Sequence, residues 1–119
     1  MADSPVQIDI AARFKKDVRE LRKHYRHIQQ DVNAFIDTLR AGETPGDQVQ
    51  GVGYTAYKAR VKNSDSRRGK SGGYRIIYYI RTVDRLILLT IYTKTKQTDI
   101  SPEEIRKIIE EVENIESEE

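Results

Sequence analysis

The chain has 119 residues, a formal net charge of +2 and no cysteine. That length predicts one domain over residues 1–119, large enough to bury a core without covalent staples, and the missing cysteines exclude disulfides, thiolate chemistry and a cysteine-ligated metal. No stretch approaches the roughly 20 apolar residues of a membrane span, and the first residues lack the basic and apolar regions of a signal peptide, so a cytoplasmic protein without membrane contact is expected.

The small total charge conceals a segregated pattern. Residues 1–50 carry eight Lys/Arg and eight Asp/Glu, a net of zero. Residues 51–96 carry eleven against two, net +9, and residues 97–119 carry two against nine, net −7. A cationic middle followed by an acidic end suggests polyanion binding by the middle segment.

Val6 to Ile10 alternates with period two and reads as a short strand. Phe14, Val18, Leu21 and Tyr25 then recur at helical spacing, which predicts a first helix from about Ala11 to His24 with a lysine- and arginine-rich outer surface. Ile28, Val32, Phe35, Ile36 and Leu39 give the buried face of a second helix, ending before Gly42. Residues 41–53 are rich in Gly, Pro and polar residues and form a loop. In the strand Tyr57 to Val61, alternation places Tyr57, Ala59 and Val61 on one face and Lys58, Arg60 and Lys62 on the other.

A polar loop carrying Arg67, Arg68 and Lys70 leads to a long hairpin from Lys70 to Lys94, with Thr82-Val83-Asp84 at its tip. Ile76, Tyr78 and Ile80 lie on one face of its first strand, and Arg75, Ile77, Tyr79 and Arg81 on the other. Leu86 to Tyr92 is apolar almost throughout, as in a central strand covered on both sides. Ser101-Pro102-Glu103-Glu104 is a helix start, with serine as cap, proline at the first helical position and glutamate following. Ile105, Ile108, Ile109, Val112 and Ile115 form the apolar stripe of that last helix. The order is β-α-α-β-β-β-α: an α+β fold with an antiparallel sheet of three to four strands, a helical hairpin on one face and a C-terminal helix.

The run G-K-S-G-G-Y-R-I-I-Y-Y-I (69–80), the strand L-I-L-L-T-I-Y-T-K (86–94), the helix entrance T-D-I-S-P-E-E-I (98–105) and the strand K-A-R-V (58–61) together resemble the RelE/ParE superfamily of bacterial toxins, most closely the HigB-like branch of RelE/HigB translational repressors. The resemblance covers nearly the whole chain. It implies a RelE-like fold and a ribosome-dependent mRNA endonuclease, an mRNA interferase that cleaves message in the decoding site of the 70S ribosome. It also implies a helix-turn-helix, HigA-like antitoxin as neutralising partner, with operator DNA bound only through the antitoxin complex. No cofactor or metal is expected. The family's basic active-site positions resemble Lys58, Arg60, Arg75 and Lys94 here, with Lys70 in the preceding loop.

The chemistry can be weighed from the residues as well. Cleavage by attack of a ribose 2′-OH needs a base, a proton donor for the leaving 5′-oxygen, and stabilisation of the phosphorane charge. Converging Lys58, Arg60, Arg75 and Lys94 supply the last, and arginine's fixed fork suits the non-bridging oxygens. Lys58 is nominated as base if neighbouring cations lower its pKa, Arg60 and Arg75 as clamps, and Lys94 as clamp or proton donor. Lys62, Arg67, Arg68, Lys70 and Lys96 are expected to hold RNA backbone, and Tyr74 and Tyr92 to lie on the RNA side, where an exposed ring stacks on a base. Asp99, by contrast, reads as turn or cap material. Some relatives carry a tyrosine or a histidine/aspartate set after the last strand, and this chain has no tyrosine or histidine there, which leaves the general acid open.

His24 and His27 form only an i,i+3 pair and read as ordinary surface residues. The G-K-S-G-G run fails as a phosphate-binding P-loop, because its upstream glycine is missing and a strand follows. Two other functions remain open: a non-catalytic RNA- or ribosome-binding inhibitor, and a ParE-like inhibitor of DNA gyrase.

Overall fold

The computed structural model describes residues 5–66, 73–95 and 99–117, with side chains to residue 114. The expected order is observed, with one addition. Strand β1 (Gln7–Ile10) is followed by helices α1 (Ala12–Leu21) and α2 (Ile28–Arg40), a two-residue strand β2 (Asp47–Gln48), strands β3 (Ala56–Val61), β4 (Tyr74–Thr82) and β5 (Arg85–Thr93), and helix α3 (Pro102–Ser117). The sheet order is β1-β5-β4-β3-β2. β1 lies parallel to β5 at one edge and every other pairing is antiparallel, so β2 brings the strand count to five.

Both faces of the sheet are covered. On one, Phe14, Val18 and Leu21 of α1 and Ile28, Val32 and Leu39 of α2 bury against Ala59, Tyr74, Ile76, Tyr78, Leu86 and Leu88. On the other, Ile105, Ile108 and Ile109 of α3 bury against Ile77, Tyr79, Ile87, Leu89 and Tyr92. The amphipathic stripes of the three helices therefore set the layers, each covering one apolar face of the sheet. Ser101 Oγ accepts a hydrogen bond from the Glu104 N–H at 3.1 Å, the cap expected at the start of α3.

The β4–β5 hairpin turns at Val83-Asp84 and contains a bulge that matters for the site. Ile77 pairs with Thr90 and Tyr78 with Leu88, so Leu89 has no opposite residue. The extra residue reverses the alternation of β5: Leu86 and Leu88 face α1 and α2, but so does Ile91, while Leu89 and Tyr92 face α3. Asp17 of α1 stabilises this irregularity, accepting hydrogen bonds from the Thr90 hydroxyl and, at 3.3 Å, from the Ile91 N–H.

At one end of α3 an acidic side chain meets the cationic segment. Glu113 accepts a hydrogen bond from the Tyr79 hydroxyl at 2.7 Å and pairs with Arg81 Nη2 at 3.3 Å, near the hairpin tip. Among the described residues, no helix is long and apolar enough to cross a membrane.

Candidate functional site

Uninterrupted alternation in β3 and β4 directs Lys58, Arg60 and Arg75 onto the α3 face of the sheet, opposite the side that Tyr57, Ala59, Val61, Tyr74 and Ile76 give to α1 and α2. Arg60 is the register partner of Arg75, and Arg75 is the register partner of Tyr92. Three side chains thus stand in one row across three strands, with Cβ atoms about 5 Å apart. Lys58 lies two residues along β3 from Arg60, on the same face. Lys94, just past the end of β5, and Lys62, just past the end of β3, are exposed.

Two arginines directly opposite each other destabilise a sheet. Arg75 adds to that cost, because it is only 5% exposed. Its Nη1 donates long hydrogen bonds to the carbonyl oxygens of Gly73, at 3.3 Å, and Tyr74, at 3.4 Å. Among the described residues neither Arg60 nor Arg75 has a carboxylate partner. A cross-strand pair of arginines, one buried and one exposed, is an arrangement that an external anion would complete, and such breaches of local rules concentrate at functional sites.

Beside Lys58 on this face the protein itself places an anion, Asp99. Its Oδ1 accepts from Lys58 Nζ at 3.2 Å, from the Tyr92 hydroxyl at 3.1 Å and from the Ile100 N–H at 2.8 Å, and Oδ2 lies 3.4 Å from Lys58 Nζ. Partial burial raises the Asp99 carboxyl, but the N–H of Ile100, the Lys58 ammonium and the Tyr92 hydroxyl outweigh it and hold the group below the usual aspartate range. Burial, then the neighbouring Asp99 charge, pushes the Tyr92 phenol up to about 12, so it remains a hydrogen-bond donor at neutral pH. Expecting only turn material at Asp99 missed this contact. It joins residues 41 positions apart, and no local spacing announces it.

The ion pair between Lys58 and Asp99 is largely exposed, so its net worth is about 1 kcal/mol or less. Asp99→Asn is expected to free Lys58 and tighten binding of a 2′-O-methyl RNA oligonucleotide by up to about fivefold. Anisotropy titrations at two salt concentrations check this; unchanged affinity would mean that Lys58 does not meet RNA. Because the Asp99 carboxyl is held low, the pair is present above the ordinary aspartate range and is lost only as pH falls below it, so affinity measured between pH 6 and 8 is expected to be flat with respect to this contact.

Tyr74 corrects the expectation of an RNA-side ring. It is 0% exposed and sits in the α1/α2 core, its ring edge-on to Tyr25 with centroids 5.7 Å apart. Being one position before Arg75 in β4, it must point to the opposite face. Its hydroxyl has no hydrogen-bond partner among the described residues, and burial first, then Asp31, raises its pKa. Tyr74→Phe is expected to stabilise the fold by about 1 kcal/mol, since it removes an unsatisfied buried hydroxyl, and to leave RNA affinity unchanged; denaturant melts alongside the same titrations measure both.

Tyr92 does lie on the cationic face, but it is buried and bonded to Asp99 rather than open for stacking. Arg67, Arg68, Lys70 and Lys96 lie outside the described residues. His27 is tied to Asp65, its Nδ1 2.7 Å from Oδ1 and its N–H donating to Oδ2 at 2.8 Å. Among the described residues no group of three or more His, Cys, Asp or Glu is placed to hold a metal ion.

The family model described as the RelE toxin of the RelE/RelB toxin–antitoxin system matches residues 14–117 of this chain. The chain belongs to the RelE toxin family. Membership makes it a toxin of the toxin–antitoxin class, whose members generally inhibit translation. Among solved structures, a double mutant of the E. coli toxin RelE in the free state is similar to this chain at 18% identity and a TM-score of 0.52, covering 80% of this chain and 90% of that one. At that identity the likeness concerns the fold: the same layered arrangement recurs in a RelE toxin whose sequence has largely diverged.

Proposed function

We propose that this RelE-family toxin is a HigB-like mRNA interferase: a ribosome-dependent endoribonuclease that cuts message in the decoding site and is neutralised by a helix-turn-helix, HigA-like antitoxin. The observation that carries the reading is the Arg60–Arg75 register pair, two arginines opposite each other on one sheet face beside Lys58 and without a carboxylate of their own among the described residues. A scissile phosphate between them would receive bidentate hydrogen bonds and relieve their repulsion.

In the proposed reaction the 2′-oxygen loses its proton and attacks phosphorus, the bond to the 5′-oxygen breaks, and that oxygen takes a proton, leaving a 2′,3′-cyclic phosphate. Arg60 and Arg75 hold the non-bridging oxygens as charge develops. An ammonium has no lone pair to accept a proton, so the base role nominated for Lys58 passes to the Lys58–Asp99 pair, with the carboxylate as acceptor. Lys94 serves the leaving oxygen or clamps the phosphate. Lys62, Arg67, Arg68, Lys70 and Lys96 bind RNA backbone, and Tyr92 orients Asp99. Protein cations supply the charge stabilisation, which is why a metal-independent reaction is proposed.

The test is induced expression followed by mapping of message ends, in wild type and in Arg75→Ala. Codon-phased ends that vanish in the variant support the reading. Translation arrest with intact message identifies an inhibitor acting by occupancy, and arrest of replication with supercoiling lost identifies a gyrase inhibitor.

A further inference from the structure

Asp17 belongs to α1, which covers the sheet face opposite the Arg60–Arg75 row, yet it bonds to the stretch of β5 that brings Tyr92 into that row. β1 pairs with β5 only as far as Leu88, so from Leu89 onward that edge of β5 has no neighbouring strand among the described residues. α1 runs along it instead. The Ala11 N–H, at the N-cap of α1, donates to the Leu88 carbonyl at 2.9 Å. Asp17 follows, its Oδ2 accepting from both the Thr90 hydroxyl and the Ile91 N–H.

Both donors come directly after Leu89, the residue with no opposite in β4. A bulge disrupts the ladder locally. Thr90 and Ile91 are each only 2% exposed, too deep for solvent to serve their polar groups. Packing accounts for Leu89, which is fully buried in the α3 core, but packing does not satisfy these two donors. One carboxylate oxygen does.

The consequence reaches the site through Tyr92. With the extra residue fixed, Tyr92 faces α3 and donates to Asp99 Oδ1 at 3.1 Å; without it, alternation from Leu88 would turn the ring to the other face. Asp99 in turn holds Lys58. A second tie runs in the same direction. Asp17 Oδ1 lies 3.5 Å from Arg13 Nε, and Arg13 Nη1 lies 3.4 Å from Glu104 Oε2 in the first turn of α3, the helix that begins just after Asp99.

We propose that Asp17 is a positioning residue: by holding the bulge at Leu89 it keeps the Tyr92 hydroxyl on Asp99, and so keeps Asp99 against Lys58 for proton transfer. The consequence for catalysis rests on the nuclease reading above; the link from Asp17 through Tyr92 to Asp99 does not. Because Asp17 does not share the face of the Arg60–Arg75 row, its loss acts on the chemical step rather than on RNA binding.

The test compares full-length Asp17→Ala, Asp17→Asn, Thr90→Val and Tyr92→Phe. The amide of Ile100, which donates to Asp99 at 2.8 Å, reports the ionisation of Asp99 in a ¹⁵N-detected pH titration. Besides that amide, the groups facing Asp99 are Lys58 of β3 and Tyr92 of β5, with Arg75 of β4 beside Tyr92, and only Tyr92→Phe alters one of them. Removing that donor raises the Asp99 midpoint. Asp17→Ala is expected to raise it too, and to lower kcat on ribosome-bound message by about ten- to a hundredfold with KM within about twofold. Asp17→Asn keeps an oxygen for both donors and should restore the midpoint and most of the rate. Adding Asp17→Ala to Tyr92→Phe should cost nothing further, because both act through one contact. Thr90→Val removes one donor at nearly constant side-chain shape; it should move the midpoint the same way, and it decides the matter if melts show Asp17→Ala unfolded. A midpoint that stays at its wild-type value in the folded variant overturns the proposal, as do rate losses that multiply in the double variant. A midpoint that follows Asp17 in a protein that cuts no message supports the link and overturns the nuclease reading.

Discussion

Arg75→Ala is expected to lower cleavage of ribosome-bound message by about 10²–10³-fold, the loss seen when a preorganised donor to a developing oxyanion is removed. The physical reason is placement. Arg75 stands between Arg60 and Tyr92 in one cross-strand row and is almost fully buried, so its charge is poorly screened and its fork is held by the sheet. Stability should change by no more than about 1 kcal/mol in either direction. Truncation loses packing and two long hydrogen bonds to the carbonyls of Gly73 and Tyr74, but it also ends the repulsion with Arg60. Arg75→Lys keeps the charge and loses the fork, and should remain at least about tenfold impaired. Mapped message ends give the rate and thermal melting gives the stability. A variant that folds and still cuts at the wild-type rate removes Arg75 from the site.

Gly46→Ala is expected to destabilise the protein by about 3 kcal/mol and lower the melting temperature by about 10 °C. Gly46 has φ of +98°, and a Cβ there would lie 2.2 Å from the Lys58 carbonyl oxygen and 2.9 Å from the Ala59 Cα. Both obstacles are backbone, so no side-chain rotation relieves the clash. The left-handed conformation adds about 1–2 kcal/mol for any residue with a Cβ. Relief requires β3 to move, and β3 carries Lys58 and Arg60, so cleavage should fall with stability. Gly42→Ala separates the two causes: its φ is +94° but nothing lies within 4 Å of the added Cβ, so only the conformational strain remains. If Gly46→Ala melts no lower than Gly42→Ala, the close approach to β3 is not a constraint on the fold.

Much of this molecule is local in origin and was legible in the chain. The stripe Phe14-Val18-Leu21, the stripe from Ile28 to Leu39, and the capped start at Ser101 each specify a helix with one buried face, because side chains three and four apart share a face regardless of what covers it. Period-two alternation likewise assigned Lys58 and Arg60 to one face of β3 and Arg75 to one face of β4, since both strands are regular where those residues sit.

Two tyrosines depend on more than the cations near them in sequence. Tyr74, expected on the RNA side, has the opposite parity to Arg75 and lies in the α1/α2 core. Tyr92 shows the converse. Strict alternation from Leu86 and Leu88 would turn it toward α1, and only the unpaired Leu89, stabilised through Asp17, brings it beside Arg75.

The sequence by itself determined every element but the short β2, their order, and which face of its own strand carries Lys58, Arg60 or Arg75, because helix stripes and strand parity act over a few residues. Tertiary structure alone decided that Arg60 opposes Arg75, that Tyr92 joins their row, and that Asp99 bridges Tyr92 to Lys58. Those facts depend on strand register, a bulge and the docking of α3, which are set by packing between segments far apart in the chain.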